Sequence, residues 1–415
     1  MKKLIISLFL IAASHAQAAE IDFFTAIDHI LERDQNLLAQ NAQNRSDLRA
    51  LDADRKAALP SLNASIVKSV RDDWTASGLP QQNYWQADLS LNLYRFGQDT
   101  SRYRLAERGD SRYAAAQLRQ ILEAERLAAE KILVFIYYSR DLSVLQKIYK
   151  VRERLLDVSS KQYNKGLLPQ QEVKKVELDL RTIDLQIKRS EVQVGQAKIE
   201  LERYLGLEQV ADVWPIAKGQ EALKVLAISQ KHPLYTEAEE ALAMEKEREK
   251  ILWAAQYPSL DAQAIANRSI SGDPFNRGQS EFLLSLTVPL LDRGLSRSLY
   301  SSQIERSASA THNLEWIKQN LDVQNKNAAI ALKETVSNIE VYDNLIVTAK
   351  QIYQDSLGRF ERGLLTVNDL AIDESRFYTA ERDSVQSWYN LQLSWISSCQ
   401  SSGVRLKDCL SRVAS

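Results

Sequence analysis

Tyr163-Asn164-Lys165-Gly166-Leu167-Leu168 returns as Phe360-Glu361-Arg362-Gly363-Leu364-Leu365, with the two glycines 197 positions apart. The same offset of 197 relates Leu91-Asn92-Leu93-Tyr94-Arg95-Phe96-Gly97 to Leu286-Thr287-Val288-Pro289-Leu290-Leu291-Asp292-Arg293-Gly294, glycine to glycine. Pro60 in Ala58-Leu59-Pro60-Ser61-Leu62 and Pro258 in Gln256-Tyr257-Pro258-Ser259-Leu260 stand 198 apart. Three matches in one order at one spacing mark a duplicated unit, and a unit this long is a whole architecture, not a solenoid repeat.

Working outward from the glycine turns, each copy reads as helix, β-hairpin, long helix, tight turn and returning helix. From Asp99 to Tyr163 the pattern stays helical, about 65 residues or roughly 95 Å at the α-helical rise. Val144, Ile148, Val151, Leu155 and Val158 are spaced 4, 3, 4, 3, and Val173, Val176, Leu180, Ile183 and Ile187 are spaced 3, 4, 3, 4. Ile339, Tyr342, Ile346, Ala349, Tyr353, Ser356 and Phe360 repeat the pattern in the second copy. These are coiled-coil seams. No proline follows Pro289, so helices over Ser296 to Arg359 and Val367 to Ser398 are predicted to be uninterrupted.

Ahead of each long helix lies a strand pair. Tyr84 to Tyr94 alternates, with Trp85, Ala87, Leu89, Leu91 and Leu93 on one face and Gln86, Asp88, Ser90 and Asn92 on the other. That is the length a tilted transmembrane strand needs. Its partner is Ser61 to Asp73, across a loop from Trp74 to Asn83; Leu260 to Asn267 and Phe282 to Val288 play the same parts in the second copy. Trp74, Tyr84, Trp85, Tyr257 and Phe275 near strand ends suit interfacial anchors. Two hairpins give four strands, and an open four-stranded sheet in lipid leaves backbone groups unpaired at both edges, so closure must come from further copies.

Composition removes most other classes. The 53 Lys plus Arg balance 54 Asp plus Glu, which argues against nucleic-acid binding. Four His and two Cys form no metal-ligand or nucleophile-and-base spacing, and no glycine-rich loop cradles a phosphate, so neither an enzyme nor a cofactor is expected. Residues 1–18 read as a secretory signal: Lys2 and Lys3, the apolar Leu4 to Ala13, then Ala16-Gln17-Ala18. The expected domains are a first repeat over 19–205, with a hairpin at about 59–96 and a turn at 165–169, and a linker over 206–233 with one short helix packed outside the rods. A second repeat follows over 234–398, with a hairpin at about 257–291 and a turn at 362–366, and then a tail over 399–415.

The signal peptide, the duplicated hairpin and long-helix unit, the Tyr257-Pro258-Ser259-Leu260 lead into the strands and the Arg359-Phe360-Glu361-Arg362-Gly363-Leu364-Leu365 turn together resemble the TolC family of outer-membrane efflux ducts, over essentially the whole mature chain. The resemblance implies a mainly α fold with a membrane β-barrel part. In that family a homotrimer closes one twelve-stranded barrel in outer-membrane lipid above an α-helical periplasmic tunnel. It implies passive conduction of drugs, small molecules or secreted protein, with a periplasmic adaptor (membrane fusion) protein and an inner-membrane pump or ABC exporter as partners. The two turns, Gly166, Leu167 and Leu168 and Gly363, Leu364 and Leu365, would dock the adaptor.

Six residues after each turn glycine stands an acid, Glu172 and Asp369. Either can serve as a favourable charge at a helix N-terminus; the resemblance places them, with Asp373, in an acidic ring at the tunnel entrance that favours cations. Ile372 stands at the second acidic position of that ring. Leu365 stands where the best-known member has an arginine that ties the entrance shut, leaving Arg359, Arg362 or Lys165 as substitutes. Cys399 and Cys409 read as a local disulfide fastening the tail. The rival from another class is a soluble periplasmic coiled-coil scaffold or adaptor, in which the apolar strand faces would pack on protein. A carboxylate hydrolase is the more distant one, and it would need two acids across a cleft.

Overall fold

The structure, a computed structural model, describes residues 22–68, 83–205, 213–216, 218–227, 231–269 and 278–409. The signal sequence and the hairpin tips with Trp74 and Phe275 lie outside the described residues. In chain order the elements are α1 (Phe23–Arg33), α2 (Gln35–Lys56), β1 (Ser61–Lys68), β2 (Asn83–Tyr94), α3 (Gln98–Asn164), α4 (Gln170–Leu205) and α5 (Gly219–Ala222). A 3₁₀ turn (Leu223–Ala227), α6 (Pro233–Ala254), β3 (Ser259–Ser269), β4 (Gln279–Thr287), α7 (Leu295–Glu361) and α8 (Val367–Ser401) complete the chain. Helices α3 and α7 have 67 residues each, so the duplication holds to the residue in the longest elements. It also holds in the backbone that leads into them: Phe96-Gly97 and Arg293-Gly294 both take positive φ.

The chain divides into two compact units. One comprises residues 36–121 and 230–324. It holds a single antiparallel sheet in the order β1-β2-β3-β4, so the two hairpins join through β2 and β3 and leave β1 and β4 as open edges. Its helical part has a small core of Ala238, Ile317 and Leu321 with Leu234, Tyr235 and Leu314. The imidazole Nδ1 of His232 caps α6 by accepting from Leu234 N at 3.1 Å, and Arg119 Nε donates to Glu237 at 2.7 Å.

The other unit comprises residues up to 35, 122–229 and 325–415. Its main core gathers Ile132, Leu133 and Ile136 of α3, Leu332, Val336 and Ile339 of α7, and Leu391, Trp395 and Ile396 of α8, all under 5% exposed. Phe23, Ala26, Ile27 and Ile30 of α1 seal one side. The segment between the repeats packs onto this core through Ile216, Ala222 and Val225. The buried amide of Gln392 donates to Ile216 O at 2.9 Å and accepts from Ile216 N at 3.0 Å, so a polar group in the core is satisfied by the incoming strand of chain. Cys399 and Cys409 form a disulfide, and Arg405 reinforces the tail by donating to the buried Glu125 at 2.6 Å.

Candidate functional site: a one-sided sheet and two helix turns

Register sorts the sheet into two unlike faces. Leu62 pairs with Leu89, Ala64 with Ala87 and Ile66 with Trp85. Ala87, Leu89 and Leu91 pair in turn with Ala266, Ala264 and Ala262, and the last two with Phe282 and Leu284. Directly paired residues share a face, so one face is mainly apolar across all four strands, broken by Ser280 opposite Ala266 and ending at Arg268 beside Trp85. The opposite face is mostly polar, with Val67, Ile265 and Leu283 interspersed: Ser61 and Ser90 hydroxyls meet at 2.7 Å, and Gln263 donates to Asp88. The apolar face is uncovered, with Leu62 72%, Ile66 77%, Phe282 73% and Leu286 64% exposed. A contiguous apolar sheet face of that kind marks contact with lipid or protein.

Where β2 and β3 meet the helices, aromatic rings gather. Phe96 lies 4.9 Å from both Tyr94 and Tyr257, and Trp253 lies 4.5 Å from Tyr257, centroid to centroid. Rings that are apolar in body and polar at the tip form girdles at the borders of membrane barrels. Sequence reading found Tyr257; the position of Trp253, Tyr94 and Phe96 beside it depends on how the strands and helices close up.

Both turns are built alike. Leu167 N bonds Gln162 O at 3.0 Å and Gly166 N bonds Tyr163 O at 2.8 Å; Leu364 N bonds Arg359 O and Gly363 N bonds Phe360 O, each at 2.9 Å. These are Schellman caps with glycine in the left-handed position, φ +73° in both. Leu167 and Leu364 project at 73 and 71% exposed. Leu168 and Leu365 instead pack inward on a cluster of Leu155, Val176, Tyr353, Phe360, Val367 and Leu370. Of the basic residues near the turns, Arg359 pairs with Asp355 at 2.9 Å and Arg362 Nε donates to Gly358 O at 3.0 Å, each within its own helix end.

The acids are held locally. Lys175 Nζ donates to Glu172 at 2.7 Å. The Thr366 hydroxyl caps α8 by accepting from Asp369 N at 3.2 Å and donates to the Asp369 carboxylate at 2.6 Å. Asp373 accepts from the Ser356 hydroxyl of α7 at 2.6 Å and from Arg376 at 3.2 Å. The residue beside it, Glu374, is 1% exposed and meets Arg152 Nε of α3 at 3.1 Å, while the same guanidinium donates to Asp179 of α4, also at 3.1 Å. Neither Glu374 oxygen has an aligned hydrogen bond, so the contact is ionic. Burial pushes the Glu374 carboxyl up to about 7, against the opposing pull of Arg152. Sequence reading passed over this pair. The available signal was spacing, because Val367, Leu370, Glu374 and Phe377 step by 3, 4, 3 and put a charge in a seam.

Among the described residues no helix is long and apolar enough to cross a membrane and no group of side chains could hold a metal ion. No protein-family model and no curated protein sequence matches the chain. Solved structures do. VceC, an outer membrane protein from Vibrio cholerae, is similar at TM-score 0.77 and 14% identity over 92% of this chain and 96% of its own. CusC, studied for its folding and transmembrane channel formation, is similar at TM-score 0.76 and 17% identity over 93% of each chain. The open state of the Neisseria gonorrhoeae MtrE outer membrane channel is similar at TM-score 0.76 and 17% identity, over 92% of this chain and 89% of its own.

Proposed function

We propose that this chain, which has the fold of TolC-family outer-membrane channels, is one subunit of a passive exit duct in the bacterial outer membrane, with most of its mass in the periplasm. The observation that carries the proposal is the uncovered apolar face running through all four strands beside a polar one. Lipid on one side and an aqueous lumen on the other satisfy both faces at once. The open edges β1 and β4 still need partners, because an unpaired strand edge in hydrocarbon costs several kcal/mol per group. Three copies supply twelve strands and leave room for a lumen, which agrees with the homotrimer expected from the resemblance.

In this reading the duct performs no chemistry. Substrate comes from an inner-membrane pump or ABC exporter through a periplasmic adaptor, which docks at the turns where Leu167 and Leu364 project. Glu172 and Asp369 border the entrance and favour cations. A soluble scaffold would require protein packed over the apolar faces of β2 and β4; the 12- and 9-residue lengths of these strands, those of tilted membrane strands, support the membrane reading instead.

The test is conductance in a planar bilayer, using protein purified from outer membranes. Discrete cation-favouring channels are expected, with selectivity reduced in Glu172→Ala and Asp369→Ala. A protein that fractionates as soluble and never inserts would overturn the duct.

A further inference from the structure

The charges of the four strands sort by face. Asp88 pairs with Ile265, Ile265 with Glu281, and Asn92 with Asp261, so all three strand acids stand on the mostly polar face. The two strand bases, Lys68 and Arg268, stand on the other. Arg268 pairs with Trp85 and Trp85 with Ile66, while Lys68 lies two residues beyond Ile66 and therefore on the same side of β1. A mainly apolar face thus carries two positive charges and, among the described strand residues, no negative one. Both basic side chains are exposed. Arg95 answers Asp261 at 2.9 Å, whereas no ion pair among the described residues includes Lys68 or Arg268. Gly278 leaves the flank of Arg268 bare: a Cβ there would press on Asn267 O at 3.0 Å and touch Arg268 Cβ at 3.5 Å.

Position along the strands sets the level of these bases. Tyr94 pairs with Leu260 on the apolar face and belongs to the ring cluster where the sheet joins the helices. Trp85 lies nine residues away along β2, about 30 Å at the rise of a strand. Tilted as barrel strands are, that length spans about 23 Å of height, close to the roughly 25 Å apolar band of a membrane barrel. Trp85 and Arg268 therefore mark the far border of the band, and Lys68 stands just past it, about 12 Å from Arg268 across two strand spacings. We infer that Lys68 and Arg268 seat a phosphorylated lipid headgroup of the outer leaflet. Their stems extend the apolar face while their charges reach headgroup level. The guanidinium offers phosphate a fork of donors, the ammonium a point charge, and the Trp85 indole suits the border between acyl chain and headgroup. A neutral headgroup would leave both charges unanswered, and a free anion would make no use of the apolar face that runs into them. The inference rests on the duct reading, which sets the helices in the periplasm and this end of the sheet outside, and it names the lipid chemistry that this face meets.

Two probes test it on the full chain, purified in detergent and stripped of bound lipid: lipid A with both its phosphates and the same lipid dephosphorylated. Occupancy against lipid concentration is read by native mass spectrometry, and conductance in a planar bilayer is measured alongside. The phosphorylated lipid is expected to bind more tightly by on the order of thirtyfold, the strength of two basic residues beside an anionic lipid surface. Lys68→Gln with Arg268→Gln is expected to lose that preference while inserting and conducting as before, and each single substitution to lose part of it. Lys68→Arg with Arg268→Lys keeps both charges and should keep most of the preference, as should Lys318→Gln, which removes an exposed charge of α7. Equal binding of the two lipids, or an undiminished preference in the double glutamine variant, overturns the seat. If channels still conduct in that case, the duct stands without it; a protein that never inserts overturns the duct and the seat together.

Discussion

The two returning helices descend from one duplicated segment and have nearly the same length, 36 residues in α4 and 35 in α8, yet they are buried very differently. Along α8, Val367, Leu370, Tyr378, Leu391, Trp395 and Ile396 are buried, and so are the polar Glu374, Ser384, Ser387, Gln392 and Ser398. Among the described residues of α4 burial is confined to Val176, Ser190, Ala197 and Leu201. Duplication supplied each copy with one seam. What surrounds the rest of the helix is decided by tertiary packing: α4 exposes Leu178, Leu185, Val192 and Ile199 among its charges, while α8 took on small and polar residues that fit between neighbours.

Truncation should expose that difference most strongly. Trp395→Ala in α8 removes a side chain that is fully buried in the main core, so a loss of about 3–5 kcal/mol is expected. Leu178→Ala in α4 removes one that is largely exposed in the protomer, and its effect on the protomer's own stability should stay within about 0.5 kcal/mol. Denaturant unfolding followed by helical circular dichroism compares the two. Equal losses would mean that α4 and α8 are equivalent after all.

Glu374 sharpens the comparison through pH. Its carboxyl sits at about 7 in the fold against 4.5 ordinarily, so the folded chain binds this proton more tightly than the unfolded chain. Both states are protonated below the ordinary value, and above the folded value both are ionised, with the buried charge penalised. The contribution of Glu374 to stability therefore falls as pH rises across that window, by on the order of 3 kcal/mol. Glu374→Gln is expected to remove this slope, read as the difference in unfolding midpoint between pH 5 and pH 8. Asp179, its counterpart in the Arg152 contact on α4, is half exposed, and its charge adds to the upward push that burial gives Glu374, so Asp179→Asn should shrink the slope without abolishing it.

The seams, the turns and the two hairpins were legible because each is a local pattern: period seven, a glycine after a helical run, alternation. The pairing of β2 with β3 was not, since nothing local in Ala262, Ala264 and Ala266 says which strand lies beside them. Glu374 was hidden for a related reason. Asp373 and Glu374 are adjacent and similar, and a turn of about 100° between neighbours sends one to Ser356 and the other to Arg152. Leu168 and Leu365 illustrate the limit again, because the motif Gly-Leu-Leu does not tell which leucine projects and which folds back onto Phe360 and Leu370.

The turns themselves give the smallest and most local contrast. Three residues after its glycine the second turn has Thr366, whose hydroxyl both accepts from Asp369 N and donates to the Asp369 carboxylate. The first turn has Pro169 at that place, which offers no side-chain cap, and Glu172 turns to Lys175. Thr366→Ala is therefore expected to cost about 1 kcal/mol, felt as faster amide exchange confined to the first turn of α8, while Glu172→Gln should leave the first turn of α4 nearly unchanged. Losing the hydroxyl also removes the Asp369 carboxylate's hydrogen bond within the turn. If that acid borders the conducting entrance, Thr366→Ala should retain cation selectivity that Asp369→Ala loses. Matching losses of selectivity in the two variants would show that the cap, not the charge, matters at this turn.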